Sequence, residues 1–369
     1  MKTNQKRLFY LDVIRVAAAI LIVVYHFSLS ITLPGIFRSA DILHATVNGS
    51  WGMTPVYCFF MVSGAALLHR YGHNHRLDVK QFYKKRFFSI YPLFWIAYVI
   101  GFFAVYWQLG HLYDIPTWSL IWSVMGIDGW IVNWIPTFYM VGEWFLGSII
   151  MLYLVFPLVR VCWKKNRNLT MAVSFLAAAA LFWYHPFPMD IKQNPVVDLF
   201  YFLLGGWIEG IRAWLMDEEE KERRNRKRKL AVLIWCVSLV ILAVWFLAPI
   251  TDSLPPMEAT VSAQASGLGM FLRQSFILVC TCAFYVFCIG ISKWLEQSRH
   301  WNRIVLEISG KTYGIFLTHH MVSQLICRHF DGVSSSRREV CMILILVFLA
   351  TWVMTLAIYR IESYIKDKF

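Results

Sequence analysis

Charge is what this sequence has least of. Only 15% of its 369 residues are Asp, Glu, Lys or Arg, against about 25% in an ordinary soluble domain. With 58% hydrophobic residues and a mean hydropathy of +0.54, a soluble chain is excluded and a polytopic membrane protein is expected. Acidic residues are scarcer still, 22 against 35 Lys and Arg, for a net charge of +13. The eight cysteines are scattered. Cys280 and Cys282 diverge on a helix, so neither a metal knuckle nor a disulfide framework is expected. A cleaved signal peptide is not expected either, because the first apolar run is too long and lacks a small-residue cleavage site. Internal repeats and inverted half-chain symmetry, common in secondary transporters, are absent from the sequence.

What the chain does have is ten apolar spans, at 9–30, 53–69, 87–107, 142–160, 169–184, 196–213, 230–248, 270–291, 304–327 and 339–360. The expected fold is an all-α polytopic bundle of about ten transmembrane helices, a single domain over 1–369. With the N-terminus in the cytoplasm, 27 of the 35 Lys and Arg fall on the cytoplasmic side. That asymmetry follows the positive-inside rule with both termini cytoplasmic. The +13 is therefore mostly a topology signal, and nucleic acid is not an expected partner. The charged cytoplasmic loop at 214–229 reads as a helical face beside anionic lipid. The outer loop at 108–141 has no Lys or Arg but carries Trp118, Trp122, Trp130 and Trp134. Those rings suit either an interfacial anchor or a stacking platform for sugars.

The first span, LDVIRVAAAILIVVYHF over 11–27, carries Asp12, Arg15 and His26. Arg15 and His26 are eleven positions apart, so on a helix they lie within about 20° of each other and roughly 16 Å apart along the axis. Asp12 sits one turn from Arg15, close enough to pair with it. Charge inside a membrane helix costs several kcal/mol unless it meets a partner or water, which makes function the default reading. The alternative is an Asp12–Arg15 pair snorkelling to headgroups, with His26 hydrogen-bonded in the bundle.

Other chemistry-bearing residues are the Lys84, Lys85 and Arg86 cluster opening span three, Glu143 with Trp144 opening span four, and Lys311 with His319 in span nine. Each has a plain alternative: inner-surface charge, an interfacial carboxylate, or ordinary hydrogen-bonding histidine. By depth, Arg15, the 84–86 cluster and Lys311 belong to the inner half, and His26, Glu143 and His319 lie nearer the outer half. Inner cations suit a phosphate-bearing donor. A histidine further out suits a general base acting on a hydroxyl.

These residues resemble the integral-membrane acyltransferase 3 family. Arg15 and His26 match its Arg–ten residues–His motif, preceded by the Leu11–Asp12 pair. FFMVSG (59–64) is similar to its Phe-Phe-x-x-Ser-Gly. Arg86 and Pro92 fit its Arg-x-x-Arg-x-x-Pro stretch, with Ser89 where the second Arg is expected. WFLGSIIMLYLVFPL resembles its Trp-x-Leu helix, with Ile149 and Ile150 where many members carry Glu-Glu. SGKTYGIFLTHH resembles its Ser-Tyr-Gly-x-Tyr-Leu-x-His segment, with His319 at the His position. The resemblance implies a multi-pass enzyme of the inner or plasma membrane, with acyl-CoA, commonly acetyl-CoA, as donor and no metal. The acceptor it implies is a hydroxyl of a lipid-linked or cell-envelope polysaccharide. It implies that Arg15 and Arg86 hold the CoA phosphates, that His26 acts as general base on the acceptor hydroxyl or takes the acyl group transiently, and that Asp12 orients Arg15. Lys85 and Lys311 are further donor-side candidates, and Glu143, Trp144 and His319 acceptor-side ones. A transporter or flippase of a glycan precursor is the alternative, since it too needs charges inside the membrane.

Overall fold

A computed structural model describes residues 7–32, 52–72, 76–110, 114–138, 143–216, 221–247, 267–330 and 336–368. These are overwhelmingly helical: α1 (Phe9–Thr32), α2 (Met53–Tyr71), α3 (Val79–Leu109), α4 (Leu120–Met125), α5 (Asp128–Ile131), α6 (Glu143–Lys165), α7 (Arg167–Trp183), α8 (Pro195–Met216), α9 (Lys221–Leu247), α10 (Leu268–Gln297), α11 (Arg299–Ser309), α12 (Thr312–Cys327) and α13 (Arg337–Lys368). Several ends are set by identifiable residues. The Asp78 carboxylate accepts from the Gln81 N–H at 2.9 Å and starts α3, and Gly110 at φ +71° closes it. Asn166 does the same for α7 by accepting from the Leu169 N–H at 2.9 Å. Both are side-chain caps on N–H groups that have no partner within the helix.

Six of the helices, α1, α3, α6, α9, α10 and α13, are long and apolar enough to cross a membrane. The other expected spans take different forms. α2 and α8 are continuous helices, but α8 carries Asp198, Glu209 and Arg212 and is less uniformly apolar. α7 is a short apolar helix of 17 residues. The ninth expected span is not one helix: it breaks at Gly310–Lys311 into α11 and α12. The basic part of the 214–229 loop continues as the first turns of α9, while residues 217–220 lie outside the described ones. The apolar faces of α9 and α13 are open, with Val240 62% and Val353 65% exposed, as suits helices turned toward lipid.

The chain divides into two compact units. The first comprises residues 1–18, 47–77 and 156–309, and the second 19–46, 78–155 and 310–369. In the first, α2 and α8 pack backbone against backbone. A Cβ added at Gly64 would lie 1.7 Å from the Phe202 carbonyl oxygen, and one added at Gly205 would lie 1.9 Å from that of Met61. Two small residues facing each other's helix are what let membrane helices approach this closely. The Tyr57 and Tyr201 rings stack at 3.7 Å beside this contact.

In the second unit α12 lies against α13, with Gly314 seated on Tyr359 and Thr355, and the Tyr313 hydroxyl reaches the Ile90 carbonyl of α3 at 3.1 Å. Ordered helices thus frame both units. Gly64→Val or Gly205→Val is expected to cost about 2 kcal/mol or more by overpacking. A lowered thermal midpoint in detergent would show it, whereas Gly110→Ala, where nothing lies within 4 Å, should bear only the modest strain of its positive φ.

Candidate functional site

In the first unit the Asp12 carboxylate is the organising group. Its side chain is 1% exposed, yet it accepts from three side chains. Arg7 donates through Nε at 2.7 Å and Nη2 at 2.8 Å, Arg15 through Nη1 at 3.0 Å, and the Ser309 hydroxyl at 2.6 Å. The expected Asp12–Arg15 pair is therefore present, with two further donors that sequence spacing did not reveal. Arg15 remains 31% exposed. Beside it, the Tyr10 hydroxyl donates to Glu209, which also accepts from Arg212 Nε at 2.6 Å and Nη2 at 2.9 Å. His69 Nδ1 lies 3.4 Å from the same carboxylate. Each buried carboxylate here is matched by charge-assisted donors, as burial requires.

In the second unit the two expected histidines come together. The His26 ring centroid is 4.9 Å from that of His319 and 4.7 Å from that of His320. His319 is fully buried, and its Nδ1 faces the carbonyl oxygens of Phe316 at 2.7 Å and Ile315 at 3.2 Å. Carbonyl oxygens only accept, so Nδ1 carries the hydrogen. His320 Nε2 lies 3.3 Å from the Gln324 amide nitrogen. His320 was not singled out in the sequence. Its signal was there, as the second of a tandem pair, but helix periodicity turns adjacent residues about 100° apart.

The remaining candidates in this unit separate. Arg86 lies over the Tyr153 ring at 5.5 Å and Lys311 over the Tyr359 ring at 4.2 Å. Lys85 is exposed and only 3.5 Å from Gln81 on its own helix. Ser89 donates to the Arg86 carbonyl at 2.8 Å and supplies no cation. Trp144 is buried beside Phe145, whose ring lies 4.9 Å from Phe316, so it packs inward. Glu143 opens α6, and its side chain lies outside the described ones.

The aromatic loop after α3 holds the residue that sequence reasoning missed most completely. It folds into α4 and α5, separated by Gly126 at φ +72°. Asp128, the first residue of α5, is fully buried. Burial pushes its carboxyl up to about 6, partly opposed by the Gly129 N–H that Oδ1 accepts at 2.9 Å. Among the described residues no cluster of His, Cys, Asp or Glu is arranged to hold a metal ion.

The chain matches the acyltransferase domain of the acyltransferase 3 type over residues 8–359. No curated protein and no solved structure matches the chain.

The raised carboxyl of Asp128 has a stability consequence. Between its ordinary value of 3.8 and about 6, the folded state binds more protons than the unfolded one, so stability falls as pH rises through that window. The difference approaches about 3 kcal/mol. Asp128→Asn should flatten this part of the thermal-stability profile, measured in detergent from pH 4 to 7. An unchanged wild-type slope in the variant would remove Asp128 as its source.

Proposed function

The chain belongs to the acyltransferase 3 family, and from that premise we propose that this membrane enzyme moves an acyl group from cytoplasmic acyl-CoA to a hydroxyl of a cell-envelope or exported polysaccharide. Acetyl-CoA is the donor this reading favours. The observation that carries the proposal is the His26–His319 approach at 4.9 Å, on the same helix as the Asp12-held Arg15.

In the proposed reaction the acceptor oxygen attacks the thioester carbonyl. The new C–O bond forms as the C–S bond breaks, the hydroxyl proton passes to His26, and the leaving thiolate takes it up. A histidine suits this task because its ordinary pKa lies near neutrality. His319, whose Nδ1–H is held by two carbonyls, packs its ring against His26 and constrains the base. Arg15 is assigned to donor phosphates, since a guanidinium binds such oxygens in two-point fashion. Arg86 and Lys311 are a second pair of cations with the same chemistry. Glu143 and Trp144 are retained as acceptor-side candidates, with Trp144 as packing behind Phe145. The cytoplasmic direction of donor approach rests on the positive-inside asymmetry. Family membership supports acyl transfer and gives no support to a glycan transporter.

The test uses purified full-length protein with radiolabelled acetyl-CoA, comparing wild type, Arg15→Ala and His26→Ala. Arg15→Ala leaves Asp12 paired with Arg7, so folding should survive while donor affinity falls about tenfold or more. His26→Ala should keep donor binding and lose turnover by about 100-fold or more. Undiminished glycan acetylation by His26→Ala at equal membrane abundance would sink the assignment. Failure of folded wild-type protein to bind any acyl-CoA would sink the reaction.

A further inference from the structure

α1 and α12 meet in register, one turn at a time. The His26 ring lies against that of His319. Four residues further along each helix, the Ser323 hydroxyl donates to that of Ser30 at 3.1 Å, and Ser30 donates to the His26 carbonyl at 2.8 Å. Residues three and four apart share a helical face, and the face of α12 that carries Phe316, His319 and Ser323 is buried. His319 belongs wholly to this seam. It is fully buried and its Nδ1–H is held by two carbonyls, which closes it to an acceptor.

His320 follows it at about 100° round the helix and is only half-buried, as is His26 itself. Its ring centroid is nonetheless 4.7 Å from that of His26, with the ring planes tilted by 53°. One turn on, Gln324 is exposed, and its amide nitrogen lies 3.3 Å from His320 Nε2. An amide nitrogen only donates, so Nε2 accepts and Nδ1 carries the hydrogen. Beside His26 there is therefore one imidazole locked into the seam and another at its accessible edge, the second held by a side chain of its own helix.

We propose that His320, oriented by Gln324, binds the acceptor beside the base: it donates from Nδ1–H to a hydroxyl oxygen adjacent to the one whose proton passes to His26. The proposal rests on acyl transfer to a polysaccharide hydroxyl, as read above. The acceptor side of the histidine pair thereby moves from His319 to its neighbour, and His319 keeps the task of holding His26. Two rings this close suit two adjacent hydroxyls of one sugar. A hydrogen bond to the second oxygen then selects which hydroxyl reaches the base, because a site built to bond a substrate hydroxyl discriminates against an acceptor that lacks it. It also fixes the attacking oxygen in place, which is where an oriented substrate gains rate.

The experiment follows label from radiolabelled acetyl-CoA into polysaccharide extracted from cells that lack the protein, with purified full-length enzyme and varied polysaccharide concentration. A residue that binds the acceptor moves the acceptor KM, whereas one that only holds His26 moves kcat. His320→Ala should raise the polysaccharide KM about tenfold. His320→Asn, which keeps an N–H near the place of Nδ1, should raise it only about threefold, and so should Gln324→Ala, which frees the ring. His319→Ala is the contrast: kcat falls and the acceptor KM stays. A His320→Ala variant that loses kcat at unchanged acceptor KM, or that changes in neither, overturns the proposal. Should that variant fail to accumulate, His320→Asn and Gln324→Ala decide by whether the acceptor KM moves. A folded wild type that labels no polysaccharide would instead reject the acyltransferase reading, so the two failures are distinguishable.

Discussion

A carboxylate taken out of water must be given back the hydrogen bonds that water supplied, and Asp12 shows how much of the first unit follows from that. Its charge lies in the first turn of α1, where free N–H groups and the helix dipole favour an anion. Helix position alone is worth about 1 kcal/mol, against several kcal/mol for an unpaired ion. Three side chains make up the difference: Arg7 from the chain before the helix, Arg15 one turn on, and Ser309 from the end of α11. Arg15 is consequently held by Asp12 at one nitrogen. Substituting Asp12 would release two guanidiniums at once, which is why its role is one of positioning.

The same demand explains the break in the ninth expected span. Ser309 is needed at Asp12 and Lys311 lies over Tyr359, and the boundary between the compact units falls between Ser309 and Gly310. A single straight helix would fix the angle between these two side chains at about 200° by rotation alone. Gly310 frees the backbone there, and Lys311 takes the cap position of α12 with φ −111°. Likewise Glu209 interrupts the apolar character of α8 because Tyr10, Arg212 and His69 all converge on it. Such polar interruptions lower hydropathy without breaking the helix.

Periodicity and spacing made the helical class legible, along with the Asp12–Arg15 pair and the shared face of Arg15 and His26. They could do so because a helix fixes relative angles from sequence numbers alone. Contacts made across the chain were not legible. Ser309 is 297 positions from Asp12, and nothing local marks it. Arg7 reads as one more basic residue of a cytoplasmic flank, since topology and pairing use the same residue type. Asp128 was hidden for a different reason. A single acid in an aromatic loop looks solvated, and only the turn at Gly126 and the close approach of Gly147 bury it. The pairing of His26 with His319 needed the tertiary fold as well, although each histidine stood out alone.

On the proposed reaction, α1 carries two groups of the chemistry along one helix. Arg15 belongs to its first part and His26 to its second, and helical rise alone separates them by roughly 16 Å. CoA bears its phosphates at one end of a long flexible arm and its thioester at the other, so a cation and a base held apart suit it better than a single compact pocket. The Nδ1–H of His319 completes the argument: with that ring held by the Phe316 and Ile315 carbonyls, its contact with the His26 ring keeps the proposed base in place.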